Sequence, residues 1–150
     1  MHILYRANPG DKYRVDVLMK LKITPDRPIM LFVRVKGRKG VREYRALLDT
    51  GSEYSIIPLQ DARDLGYEAY CHPDDPGMGT KAMTKTDMAE LDEIVLEEVG
   101  VADLVAKNVK ALACDLPRLG GVEATLGLSF LKNFKTTIDY NKGYLTIEPI

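Results

Sequence analysis

Residues 46–58 read Ala46-Leu47-Leu48-Asp49-Thr50-Gly51-Ser52-Glu53-Tyr54-Ser55-Ile56-Ile57-Pro58: an acid, a hydroxyl and a glycine set between two apolar segments that each read as buried strand. A carboxylate at the mouth of a buried strand costs free energy unless it is hydrogen-bonded, and the backbone N–H groups of a tight turn beside a glycine can supply those bonds. Thr50 adds a hydroxyl able to bond across an interface. The ordinary alternative is an Asp-Gly-type turn joining two strands. What flanks the stretch decides between the two.

Upstream, Val41 to Leu48 is a strand that delivers the chain to the acid. Ahead of it Ile29, Leu31, Val33 and Val35 alternate with polar residues, and Lys36-Gly37-Arg38-Lys39-Gly40 supplies a hairpin loop. Further back, Tyr13, Val15, Val17, Met19, Leu21 and Ile23 share one side of an alternation broken by Pro25 and Pro28. Downstream, Tyr54 to Ile57 is short and apolar, and the segment from Pro58 to Tyr67 reads as a brief helix, with Pro58 near its first turn and Gly66 at C′. The prolines and glycines between Cys71 and Met88 predict a loop or an exposed hairpin tip.

Strand character returns in three pieces, Glu90 to Leu96, Val99 to Val105 and Val109 to Cys114, followed by a loop from Asp115 to Gly121. Thr136 to Tyr140 and Tyr144 to Ile147 flank Asn141-Lys142-Gly143, a hairpin signal in which Gly143 is free to take a positive φ. Many short strands with one or two short helices predict an all-β, barrel-like fold. With 150 residues and no repeat or linker, a single domain over residues 1–150 is expected.

Composition removes several classes of function. The 21 Lys plus Arg balance 22 Asp plus Glu, for a net charge of -1, so no basic excess points to nucleic acid. Neither end carries an apolar signal region and no run approaches the roughly 20 apolar residues that span a bilayer, which predicts a cytoplasmic protein with no membrane partner. Cys71 and Cys114 are too few for a disulfide framework and are expected as buried thiols. No Cys/His cluster has zinc spacing, and Cys71-His72 would point to opposite faces of a strand, so no metal is expected. Ser52 and Ser55 beside Asp49 suggest a Ser-His-Asp set, but the only histidines are His2 and His72 and neither lies in a catalytic-looking turn. The acids Asp92, Glu93, Glu97 and Glu98 read as a solvated strand edge and turn, and Lys36 to Arg42 as a soluble hairpin tip.

The order strand, Leu47-Leu48, Asp49-Thr50-Gly51-Ser52, apolar strand, helix resembles the catalytic-loop region of the retroviral-type, retropepsin-like aspartic proteases. A second feature of that family, an apolar pair and a glycine followed by a short helix, is matched by Thr125-Leu126-Gly127 and then Ser129 to Asn133, with Thr125 the less apolar choice at its position. The tail from Phe134 to Pro149 is similar to the closing hairpin of single-domain members. The resemblance implies a β-barrel half with a ψ-loop and a flap hairpin. It implies Asp49 as the catalytic carboxylate, Thr50 as the hydroxyl tying two active-site loops together, Gly51 as the tight-turn residue with Ser52 beside it, and Gly127 as the residue that lets the ψ-loop pass close behind the acid. The flap is expected between Gly77 and Met88, with Gly77, Met78, Gly79, Thr80 and Met83 facing substrate. The tyrosine of pepsin-like flaps is missing from that stretch.

Hydrolysis by such a site uses two carboxylates, one ionised to draw a proton from water and one protonated to donate to the carbonyl. The chain has one Asp-Thr-Gly and no Asp-Ser-Gly, so a catalytic Asp49 must meet its counterpart at a twofold axis in a homodimer. Like charges a few ångströms apart cannot both ionise, so the pair would share a proton. The expected activity is that of an aspartic endopeptidase acting on a protein or peptide substrate, with water as nucleophile and no cofactor. The alternative keeps the fold as a dimerisation or peptide-binding domain with Asp49 idle.

Overall fold

The computed structural model of the protein describes residues 2–8, 10–71, 93–116 and 121–150, so the expected flap from Gly77 to Met88 lies outside the described residues. Strand β3 (Met30–Gly37) follows its alternation closely: Leu31, Val33 and Val35 are buried while Phe32, Arg34 and Lys36 are exposed. It turns through Arg38 and Lys39 into β4 (Gly40–Leu48), whose Tyr44, Ala46 and Leu48 point into the same core. The short strand β5 (Ser55–Ile57) leads into helix α1 (Leu59–Asp64). Gly66 ends that helix at φ +97, a left-handed conformation that lets the Gly66 and Tyr67 N–H groups reach back to the carbonyls of Arg63 and Ala62.

Strands β6 (Ile94–Val101) and β7 (Leu104–Ala113) form one long antiparallel hairpin where three short strands were expected. The chain reverses at Ala102 and Asp103, with Ala102 at φ 51, so Glu97 and Glu98 lie within a continuous strand. Charged residues on a solvated strand face resemble a turn when only composition is read. Strand β8 (Ala124–Leu126) runs parallel to β4 and antiparallel to β5, inserted between two strands that are close in sequence. This is the ψ-shaped crossing. It completes a closed six-stranded barrel in the order β3-β4-β8-β5-β7-β6. Helix α2 (Leu128–Leu131) follows β8 directly and buries Phe130 in the core.

A second, four-stranded sheet in the order β1-β2-β10-β9 is built from the chain ends. Strand β1 (His2–Asn8), not anticipated from the sequence, pairs with β2 (Asp11–Lys22). The expected tail hairpin is present as β9 (Phe134–Asp139) and β10 (Tyr144–Pro149), turning at Gly143 with φ 73. Met19, Leu145 and Ile147 join the barrel residues in one core cluster. Each such buried aliphatic side chain contributes about 1.5–3 kcal/mol.

The cysteines correct the sequence expectation. Cys71 and Cys114 are half-buried and joined by a disulfide, with Cα atoms 5.3 Å apart. Strand β7 runs parallel to β5, with Cys114 N donating to Ile57 O just past their last pair, and a separation of 43 residues in sequence hides how close Cys71 comes to that end. Closing a loop of this length restricts the unfolded chain by roughly 4 kcal/mol on the chain-entropy account. No helix among the described residues is long and apolar enough to cross a membrane.

Candidate active site

Because Tyr44, Ala46 and Leu48 face the core, the next residue outward, Asp49, shares the opposite face with Leu47 and leaves the barrel as β4 ends. The half-buried acid is held from both sides. Its N–H donates to Leu126 O at 3.0 Å, its Oδ1 accepts Gly51 N–H at 3.1 Å, and its carbonyl accepts Ser52 N–H at 3.3 Å. Gly51 therefore serves the turn by its N–H: its φ is not in the positive region, and a Cβ there would sit 3.4 Å from Asp49 Oδ1, an ordinary contact. Ser52 is buried, and its hydroxyl donates to Tyr54 O at 2.8 Å. Thr50 is exposed, and its hydroxyl has no partner among the described residues.

Gly127 is the second fixed point. A Cβ at this position would stand 2.3 Å from Tyr54 O and 2.7 Å from Ser52 O, so only glycine lets β8 pass behind the acid's turn. Two serines lock the crossing. Ser55 Oγ accepts Gly127 N–H at 3.1 Å and lies 3.0 Å from Ser129 Oγ, which itself accepts Ser55 N–H at 3.1 Å. Leu128 N and Ser129 N donate to the carbonyls of Ser52 and Glu53 at 2.8 and 2.9 Å. The buried Ser55–Ser129 pair was not expected from sequence; its signal is a serine two residues beyond the crossing glycine.

The outer face beside Asp49 is apolar. Leu47, Thr125, Ile56 and Leu112 lie on adjacent strands β4, β8, β5 and β7, with Tyr54, Ile56 and Leu112 forming a cluster separate from the barrel core. Thr125 Oγ1 is buried there without a hydrogen-bond partner among the described residues. Tyr54 closes the cluster by donating its hydroxyl to Glu93 at 2.7 Å, while Lys110 pairs with the same carboxylate at 3.5 Å. The hydrogen bond to Glu93, helped by burial, pushes the Tyr54 hydroxyl up to about 12. A cavity of about 650 Å³ lies elsewhere: it is lined by Tyr44, Asp61, Asp115 and Glu123 and does not include Asp49. Tyr44 donates to Asp61 at 2.9 Å in that cavity, and burial first, then this bond, raises its hydroxyl well above the usual tyrosine range. No cluster of His, Cys, Asp and Glu among the described residues could hold a metal ion.

The sequence pattern of the aspartyl protease family matches residues 33–130, which is more than half of the chain. The chain belongs to that family. Its fold is retropepsin-like: a retropepsin-like aspartic protease from Rickettsia conorii aligns with a TM-score of 0.57 at 20% identity, over 88% of this chain and 90% of that one. The retroviral protease-like domain of Ddi1 from Leishmania major covers 86% of this chain and 92% of its own at 18% identity, with a TM-score of 0.44, too distant to argue from. No curated protein matches the chain.

For this aspartyl protease family chain, the structure brings Asp49, Thr50, Gly51, Ser52 and Gly127 together at one end of the ψ-crossing. The substrate-facing residues expected on the flap, Gly77, Met78, Gly79, Thr80 and Met83, lie outside the described residues. One carboxylate per chain can accept or hold a proton, and cannot do both at once.

Proposed function

We propose that the protein is an aspartic endopeptidase working as a homodimer, with the Asp49 carboxylates of two copies on either side of one water. The observation that carries this reading is how Asp49 is presented. A lone carboxylate is pinned through Oδ1 to a backbone N–H at the mouth of the barrel, beside a threonine hydroxyl that has no partner within the described chain. A second copy completes both.

In the reaction, the ionised Asp49 takes a proton from the water as its oxygen attacks the carbonyl carbon of an extended peptide. The protonated Asp49 gives its proton to the carbonyl oxygen, forming a tetrahedral diol. Collapse returns one hydroxyl proton to the second carboxyl and passes the first carboxyl's proton to the leaving nitrogen as the C–N bond breaks. The pair ends with one proton, as it began. The substrate is a protein or peptide lying as a strand across the face that carries Leu47, Thr125 and Ile56.

Asp49→Asn keeps the shape of the side chain and removes its proton chemistry. Peptide cleavage at mildly acidic pH should fall by roughly 10²–10⁴-fold or more, with sedimentation unchanged. Cleavage that survives the substitution, or a wild-type dimer that cuts nothing in a peptide library, would favour the idle-domain alternative.

A further inference from the structure

We infer that Thr125 selects the substrate: its hydroxyl pairs with a neutral hydroxyl or amide side chain next to the bond that is cut, on both sides of the cut. This rests on the protease reading above and adds the class of residue that the site accepts.

The observation that carries it is a hydroxyl with nothing to bond. Ala124 and Leu126 point into the barrel core, so Thr125 between them points to the opposite face of β8. It is only 7% exposed, and its Oγ1 has no hydrogen-bond partner among the described residues. Its neighbours across the strands are Leu47 of β4 and Ile56 of β5, whose side chains offer no donor or acceptor. A buried hydroxyl left unpaired is costly, and valine would fill the same space without that cost. Thr136 Oγ1 is also unpaired, but Thr136 is less buried and lies on β9 of the terminal sheet. Thr125 is also the residue that breaks the apolar pair ahead of the crossing glycine.

Position ties this hydroxyl to the acid. Leu47 pairs with Thr125, and Asp49 follows Leu47 on the same face two residues along. Thr125 therefore stands one strand across, about 4.8 Å, and two residues along, about 6.6 Å, from Asp49. The place on β8 beside the acid belongs to Gly127, which has no side chain, so Thr125 is the first β8 side chain on that face. A peptide whose scissile carbonyl sits over Asp49 lays a side chain flanking the cut over Thr125.

Chemistry narrows what that side chain is. A carboxylate there would meet the negative charge shared by the Asp49 pair, and an ammonium would leave most of its three donors bare against Leu47 and Ile56. Serine, threonine, asparagine and glutamine remain. In a homodimer the second copy brings its own Thr125 to the other side of the cut, so both flanking residues are read alike.

The test uses peptides that differ at one flanking position by a shape-matched pair, threonine against valine or asparagine against leucine. The wild-type chain should favour the polar member of each pair by about tenfold in kcat/KM, at either flank. Thr125→Val should abolish or reverse that preference, and Thr125→Ser, which keeps the hydroxyl, should retain it. Thr125→Val should also melt no lower than wild type, because it removes an unpaired buried hydroxyl. A polar preference that is absent from wild type or survives Thr125→Val, a loss of rate shared equally by all the peptides, or a lower melting temperature overturns the inference. If any of these occurs while cleavage still depends on Asp49, the protease reading stands. The same peptides are titrated calorimetrically onto Asp49→Asn chain with and without Thr125→Val. Thr125-dependent binding of the polar members, with no cleavage by wild type, sinks the protease reading and keeps the selection by Thr125. A chain that neither cuts nor binds them sinks both.

Discussion

The ψ-crossing and the terminal sheet are built on opposite terms. At the crossing, β8 is three residues long and held by particular atoms: the missing Cβ of Gly127, the hydroxyls of Ser55 and Ser129, and the carboxylate of Asp49 on Gly51 N–H. The terminal sheet has strands paired residue by residue, with Leu145 and Ile147 inward and the Lys135–Glu148 ion pair and the Lys20–Tyr144 contact outside that core. One region tolerates almost no change of residue type. The other asks mainly for alternation, since repeated backbone pairs and buried aliphatics share the stabilisation.

The sharpest test of that contrast is Gly127→Ala. A methyl group directed at the Tyr54 and Ser52 carbonyls must displace the backbone of the acid's turn, and a loss of about 3 kcal/mol or more in urea-denaturation stability is expected, together with loss of any Asp49-dependent cleavage. A loss under about 1 kcal/mol would show that the crossing has room to spare.

Tyr54→Phe gives an intermediate effect that depends on pH. The Tyr54 hydroxyl titrates at about 12 in the folded chain, from an ordinary 10.0, because it donates to Glu93 and is buried. The unfolded chain loses this proton first, so the stabilisation is complete below pH of about 10 and drains away as pH climbs toward about 12. Wild type should exceed Tyr54→Phe by roughly 1–2 kcal/mol at neutral pH, and the gap should close in alkali. Tyr44 and Tyr67, whose hydroxyls burial also raises, decline in both proteins and cancel from the difference. Denaturant titrations at pH 7.5 and 11 measure the gap; one that widens with pH would contradict the assignment.

The smallest effect belongs to the terminal sheet. Lys20 lies 4.1 Å from the Tyr144 ring centroid, an exposed contact worth about 0.5–1 kcal/mol, so Lys20→Gln should change stability by no more than that. A larger loss would mean the terminal sheet is as exacting as the crossing.

This contrast also explains what was legible in the sequence. Asp49 and Gly127 stood out because a hydrogen-bonded acid and a close backbone approach admit few residue types, and the alternation of β3 named its inward face correctly. Gly66 and Gly143 were readable as turn points because both take positive φ. Strand β1 was missed: its partner is a neighbouring hairpin strand, and its sequence carries no marker beyond that pairing. The β6–β7 reversal was misplaced because Glu97 and Glu98 mimic a turn, and the Cys71–Cys114 disulfide and the Ser55–Ser129 lock join residues whose proximity exists only after folding.

The most direct test of the central claim, that two Asp49 carboxylates from separate copies make one site, is a mixing experiment. Asp49→Asn chain is added to a fixed amount of wild type, at concentrations where sedimentation shows full dimerisation and with time for exchange of subunits. Random pairing at equimolar addition leaves about half of the original wild-type homodimers, so activity should fall to about half and continue down as more variant is added. Activity that stays constant whatever the amount of Asp49→Asn chain would contradict a shared site.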